Sequence, residues 1–146
     1  MAKQALFYIL AEQPTSAHLL ENKVCDLAAD AWRLGKKVLI ACQNEQQALL
    51  IDEMLWQRDP DQFVPHNLSG EAGAYMTPVE ICWPEKRNSQ RRDVLISLLD
   101  QVPDFALLFP QVIEFVPADE QLKILARERY KYYRQLGWQL STEKIN

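Results

Sequence analysis

Glycine is scarce: the 146 residues contain four. A phosphate-binding loop needs glycines to turn backbone amides toward one anion, and a hydroxyl residue after its lysine to meet magnesium. Gly35-Lys36-Lys37 has neither a glycine-rich turn before it nor Ser or Thr after it. Gly70-Glu71-Ala72-Gly73 neither follows a convincing strand nor opens a helix, so it lacks the setting of a dinucleotide fingerprint. Cysteine is equally sparse. Cys25, Cys42 and Cys82 cannot all pair with one another and show no CxxC spacing. This points to buried core thiols in a reducing compartment, and excludes a zinc knuckle or a secreted disulfide scaffold. The two histidines, His18 and His66, have no helical partner histidine, and no metal is expected.

Long apolar runs are missing too. Ala5 to Ala11 is far too short to span a bilayer, and Leu95 to Phe109 is broken by Asp100, Pro103 and Asp104. With no signal-peptide pattern, a cytoplasmic protein with no membrane partner is expected. A net charge of -4 argues against a generally DNA-wrapping surface while leaving room for a local basic patch. Catalytic groupings are weak. His66 lies among turn signals in "VPHNLSGE", where a hydrogen bond to loop backbone or a place at a partner surface explains it better than a triad does. Asp52 and Glu53 are adjacent, so on a helix they point about 100° apart and make no acid–base pair. Asp119-Glu120 suits the positive end of a helix dipole. Nothing here supports an enzyme.

What the chain does have is apolar material, at 48% of residues. A chain this long can bury about two-thirds of its extended surface, enough for one core and a single domain over residues 1–146. Strand and helix signals alternate. Lys3 to Leu10 predicts a strand, and Ala17 to Leu34 a helix that Thr15 or Ser16 can cap and Gly35 ends. Lys37 to Cys42 reads as a continuously apolar strand, followed by a helix from Glu45 to Trp56 capped by Asn44. Phe63-Val64 predicts a brief strand before a turn through Pro65 to Gly70, with a loop to Pro78. Further strands are expected at Val79 to Trp83, Asp93 to Ser97 and Val112 to Val116, with a helical turn at Phe105 to Phe109; Asp93 would also suit the start of a helix. A final helix covers Asp119 to Leu136, ended by Gly137. The pattern is that of an α/β domain in three layers around a mostly parallel sheet.

Charge is unevenly placed. Residues 1–73 hold 6 basic and 10 acidic side chains, whereas 74–146 hold 10 of each. On the last helix, with Leu122 at zero, Leu125, Ala126, Arg129, Tyr132, Tyr133 and Leu136 fall between about 280° and 40°, the expected core side. Arg129 would extend out of that stripe along its aliphatic stem. Lys123, Arg127, Tyr130, Lys131 and Arg134 fall between about 80° and 180°, with little acid expected to offset them. This face is either a solubilising surface or a binding surface for an anionic partner. A second basic group, Lys86-Arg87 and Arg91-Arg92, lies between two predicted strands. Trp56, Phe63, Pro65 and Leu68 form an apolar group that either anchors a partner or closes the core, and periodicity favours the core.

The run "GKKVLIACQNEQQALLIDEMLWQRDPDQFVPHNLSGE" from Gly35, then "PVEICWPEKRNSQRRDVLISL" from Pro78 and "LKILARERYKYYRQLGW" from Leu122, closely resembles the chi subunit family of bacterial DNA polymerase III. The resemblance implies a noncatalytic, cofactor-free α/β fold, nucleotide-binding-like but without a phosphate loop. It further implies membership of the clamp-loader complex through the small psi subunit, and binding of the acidic, phenylalanine-terminated tail of single-stranded-DNA-binding protein. Residue by residue, it assigns the tail to Lys123, Arg127, Tyr130, Lys131 and Arg134, with Val116 and Leu122 as apolar contributors. It assigns psi to Trp56 and Phe63. The resemblance attaches no partner to Lys86, Arg87, Arg91 and Arg92. The other classes open to such a domain are a direct nucleic-acid binder, favoured by the two cation groups, and a small α/β enzyme.

Overall fold

A computed structural model describes residues 3–10, 18–70, 77–86 and 92–145. Ten regular elements follow in chain order: β1 (Gln4–Ile9), α1 (Leu19–Arg33), β2 (Val38–Ala41), α2 (Glu45–Trp56), β3 (His66–Leu68), β4 (Val79–Cys82), β5 (Val94–Ser97), β6 (Gln111–Val116), α3 (Glu120–Gln135) and β7 (Gln139–Lys144). The strands form one seven-stranded sheet in the order β3-β4-β2-β5-β6-β1-β7, every pairing parallel.

Alternation along the strands sends side chains to two covered faces, as an all-parallel sheet requires. Ile40, Ile81, Ile96 and Phe115 meet Val24 and Ala28 of α1 and Ile51 and Leu55 of α2. Phe7, Leu39, Leu95 and Val112 point the other way, toward Tyr133 of α3 and Ala106 of a 3-10 turn at Asp104–Leu108. These are the three layers the sequence predicts.

Most local signals act as their chemistry requires. The Asn44 side chain accepts the Gln47 N–H and starts α2. Asp119 accepts the Leu122 N–H at the head of α3. Gly35 and Gly137 end their helices at φ of 80° and 83°, where a Cβ is disfavoured.

Three expectations are corrected. Phe63 and Val64 are not in a strand; the edge strand is His66–Leu68, inside the stretch read as a turn. Its three residues are buried, and pairing to β4 outweighs their weak strand propensity. α1 is preceded by His18, in left-handed conformation with no side-chain cap, while Thr15 and Ser16 lie outside the described residues. β7 was not foreseen. Its sequence, QLSTEK, is almost wholly exposed, so no apolar period announces it.

Candidate partner-binding surfaces

α3 carries two kinds of arginine. Arg129 does not extend out to water as expected. It is buried, with Nε 2.9 Å from Glu114 Oε1, Nη1 donating to the Asp100 carbonyl at 2.6 Å and Nη2 to the Phe115 carbonyl at 3.0 Å. Glu114 is fully buried on β6, and burial pushes its carboxyl up to about 7 even though Arg129 pulls it down. The Tyr133 hydroxyl borders the same carboxylate and is itself pushed up by burial. This ion pair ties α3 to β6 and to the exit of β5.

The outer face behaves differently. Arg127 and Arg134 are exposed, and neither forms an ion pair among the described residues. Lys123 and Lys131 lean on acids one turn away, Glu120 at 3.5 Å and Glu128 at 3.8 Å. The face is therefore less free of negative charge than expected. Tyr130 is half-buried at its margin, its ring 5.3 Å from Phe7 of β1 in an edge-on contact. Val116 and Leu122, also half-buried, frame the head of the helix. Tyr132 and Leu136, expected in the core, are 36% and 46% exposed; the buried stripe of α3 is Ala126, Arg129 and Tyr133.

At the exit of α2 the core reading divides: Leu68 is buried in the core and Phe63 and Pro65 are half-buried, but Trp56 is not. Trp56 is 60% exposed, its ring 5.2 Å from Phe63 and 5.1 Å from His66. His66 is buried behind the two rings. Its Nδ1–H donates to the Val64 carbonyl at 2.7 Å, and Nε2 stands 3.2 Å from Asp52 of α2. The loop hydrogen bond foreseen for His66 exists, and the imidazole braces the aromatic pair.

The second basic group separates. Arg92 is buried against Glu80 at 3.0 Å and donates to the Thr77 and Pro78 carbonyls, a structural tie at the amino ends of β2 and β4. Burial lowers its guanidinium despite Glu80. Lys86 is exposed, and Arg87 and Arg91 lie outside the described residues.

Beyond the carboxyl ends of β2, β4 and β5, where α/β folds take ligands, lies a cavity of about 270 Å³. Cys42, Cys82, Trp83, Leu99 and Phe105 line it, with Asp104 at its wall. Burial raises the Cys42 thiol, and raises Cys25 elsewhere to about 12, which leaves both as neutral core groups. The turn from β2 into α2 is Cys42-Gln43-Asn44, with no glycine to cradle phosphate. No group of metal-binding side chains occurs among the described residues, nor is any of their helices long and apolar enough to cross a membrane.

The chain is a three-layer parallel α/β protein with an exposed aromatic patch at one helix exit and a cationic face on another helix. The family model for "DNA polymerase III chi subunit, HolC" matches residues 2–141. DNA polymerase III subunit chi of Haemophilus influenzae is 61% identical over 145 residues, covering 99% of both chains. The subunit from Escherichia coli K12 is 53% identical over 142 residues, covering 96% of this chain and 97% of the relative. That from Pseudomonas aeruginosa is 32% identical over 139 residues, covering 95% and 94%. In fold, the chain superimposes on T4 UvsW with a TM-score of 0.68 at 7% identity, across 98% of this chain and 41% of that one. The chain belongs to the DNA polymerase III chi subunit family, an accessory subunit in DNA replication.

Proposed function

We propose that this subunit is a noncatalytic bridge. One surface joins the psi subunit, and through it the clamp loader, in the cytoplasm. The other holds the acidic carboxyl-terminal tail of single-stranded-DNA-binding protein. The observation that carries the tail half is the pair Arg127 and Arg134, exposed and without ion-pair partners among the described residues, beside the half-buried Tyr130. Free guanidinium groups bind carboxylates through charge-assisted, often bidentate hydrogen bonds. Lys123 and Lys131 add donors by exchanging their exposed acid partners for those of the peptide. The apolar margin formed by Tyr130, Val116 and Leu122 offers a terminal phenylalanine ring a place beside the guanidinium groups.

The psi half rests on Trp56 and Phe63. An exposed indole tilted against a second ring and backed by a buried imidazole has its rotamer restricted before any partner arrives, as an interface anchor should. The acidic composition suits this role, because local rather than net potential selects the ligand. No strong direct binding to nucleic acid is expected.

The test is binding of the purified protein to an acidic phenylalanine-terminated peptide and to naked single-stranded DNA, side by side. Strong peptide binding with weak DNA binding supports the bridge. The reverse result would replace it with a nucleic-acid module.

A further inference from the structure

The two edges of the sheet are not alike. β3 at one edge is three residues long and buried throughout. β7 at the other is six residues long and almost wholly exposed, with no strand beyond it among the described residues. The Gln139 N–H donates to the Lys3 carbonyl, and the Ile145 N–H to that of Ile9. In a parallel ladder the residues between them alternate, so Leu140, Thr142 and Lys144 turn their N–H and C=O groups outward.

The side chains of these residues stand on the α3 side of the sheet. Leu140 and Thr142 are in register with Ala5 and Phe7, which point into the α3-side core, and Leu140 packs there. The rotation of α3 is equally fixed. Arg129 reaches toward β5 and β6, and Tyr130 reaches Phe7 of β1. Continuing around the helix in that direction, past β1, brings Arg127 and Arg134 above the β7 edge. An open strand edge thus runs beneath a cationic helix face.

The two repeats also match. Lys123 and Arg127, four residues apart on α3, are separated by about 6 Å along the axis. Alternate side chains of an extended strand are separated by about 6.7 Å. A strand laid along β7 with acids at every second position would set one carboxylate opposite each cation. Lys144 on the edge itself discourages indiscriminate pairing with apolar strands and favours an acidic one.

We propose that the open edge of β7 receives an extended acidic peptide as an eighth strand. The main chain of the peptide would pair with Leu140, Thr142 and Lys144, and its alternate carboxylates would face Lys123 and Arg127. This rests on the tail reading above and deepens it: the residues preceding the peptide tip would bind through their backbone, with α3 reading their charge.

The experiment compares, by calorimetry, an acidic phenylalanine-terminated tetrapeptide with a ten-residue extension carrying acids at alternate positions. The longer peptide should bind on the order of tenfold more tightly, through a few added backbone hydrogen bonds. N-methylation at one alternation of its upstream amides should remove that gain at unchanged charge, and methylation at the other alternation should not. Thr142→Pro, which deletes an outward N–H while sparing the pairing to β1, should likewise reduce the long peptide to the affinity of the tetrapeptide. Thr142→Ala should keep the gain. Equal affinity for both lengths, indifference to methylation at either alternation, or a folded Thr142→Pro variant that retains the gain would overturn strand addition. Should Thr142→Pro not fold, the methylated peptides decide on the unaltered protein. A tetrapeptide that fails to bind, beside a long peptide that binds and is sensitive to one methylation register, would overturn the tip reading and keep the strand.

Discussion

The α2 exit and the outer face of α3 lie on opposite layers of one sheet and are prepared for contact in opposite ways. Trp56 and Phe63 form a stiff apolar patch whose rings rest on buried His66, itself held by Val64 and Asp52. Arg127 and Arg134 are long, solvated and unpaired among the described residues, on a helix pinned from beneath by Arg129 and Glu114. The first surface restricts its contact groups in advance. The second fixes only their platform and leaves the guanidinium groups to find carboxylates. Association at α2 should therefore resist salt, whereas that at α3 should weaken as salt screens it.

The largest expected effect breaks the platform. Arg129→Ala leaves the Glu114 carboxyl buried and unpaired, and should cost about 3–5 kcal/mol of stability. The pH dependence has a definite sign. Burial raises the folded carboxyl to about 7, above its unfolded value, so the folded state binds more protons in between. Stability from this group falls as pH rises through that window and stays low above it. Without Arg129 the folded carboxyl rises further, so the deficit of the variant grows with pH. Melting temperatures of both proteins from acid to mildly alkaline pH check this; a deficit that shrinks with rising pH contradicts it.

Next in size is the aromatic patch. Trp56→Ala should weaken psi association by about 2–4 kcal/mol as loss of an interface anchor. Because the indole is 60% exposed, stability should fall by only about 1 kcal/mol. Affinity for the acidic peptide should stay as it was. Loss of both partners in a folded Trp56→Ala protein would mean that the two surfaces are coupled.

Arg127→Ala sharpens the comparison from the other side. It should weaken acidic-peptide binding by about 1.5–3 kcal/mol and leave stability within about 0.5 kcal/mol. It stands two positions from Arg129, yet one substitution should act on binding and the other on folding. Titrations at low and moderate salt should show the wild-type affinity falling and the difference from Arg127→Ala narrowing. An Arg127→Ala protein with unchanged peptide affinity at both salts removes this residue from the site.

How much of this was legible depends on whether a residue obeys a local rule. Asn44 caps α2 and Gly35 ends α1 as read, because caps depend on a few neighbouring atoms, whereas Asp119, read as first-turn charge, is the cap of α3. The apolar strand β2 was equally plain, and at β5 the strand prevails over the helix that Asp93 could have started. β3 and β7 were hidden for opposite reasons: one is built from turn-forming residues buried by pairing, the other from polar residues on an edge. On α3 the helical wheel found the cationic face but misjudged Arg129, since the acid that draws it inward lies fifteen residues earlier, on β6. Exposure of Trp56 was likewise beyond periodicity, because it depends on where Phe63 and His66 return to the helix. Ion pairs within one turn, Lys123–Glu120 and Lys131–Glu128, could have been read from their three-residue spacing.

That last pairing supports the smallest prediction. Glu128 stands 3.8 Å from Lys131, and both side chains are about two-thirds exposed. In water such a contact is worth a few tenths of a kcal/mol at most, so replacing it should leave stability nearly unchanged. Its effect on binding has a definite direction, however. Glu128 both occupies Lys131 and repels an incoming acidic peptide, so Glu128→Gln should tighten peptide binding about 1.5- to 2-fold at low salt. The gain should fade at moderate salt, where the lost repulsion is screened. At the α2 patch the same substitution should change nothing, because the proposed psi contact there would rest on the rings of Trp56 and Phe63. Parallel titrations of both partners against Glu128→Gln at two salt concentrations make the comparison. Tighter psi binding, or weaker binding of the acidic peptide, would place Glu128 inside an interface rather than beside one.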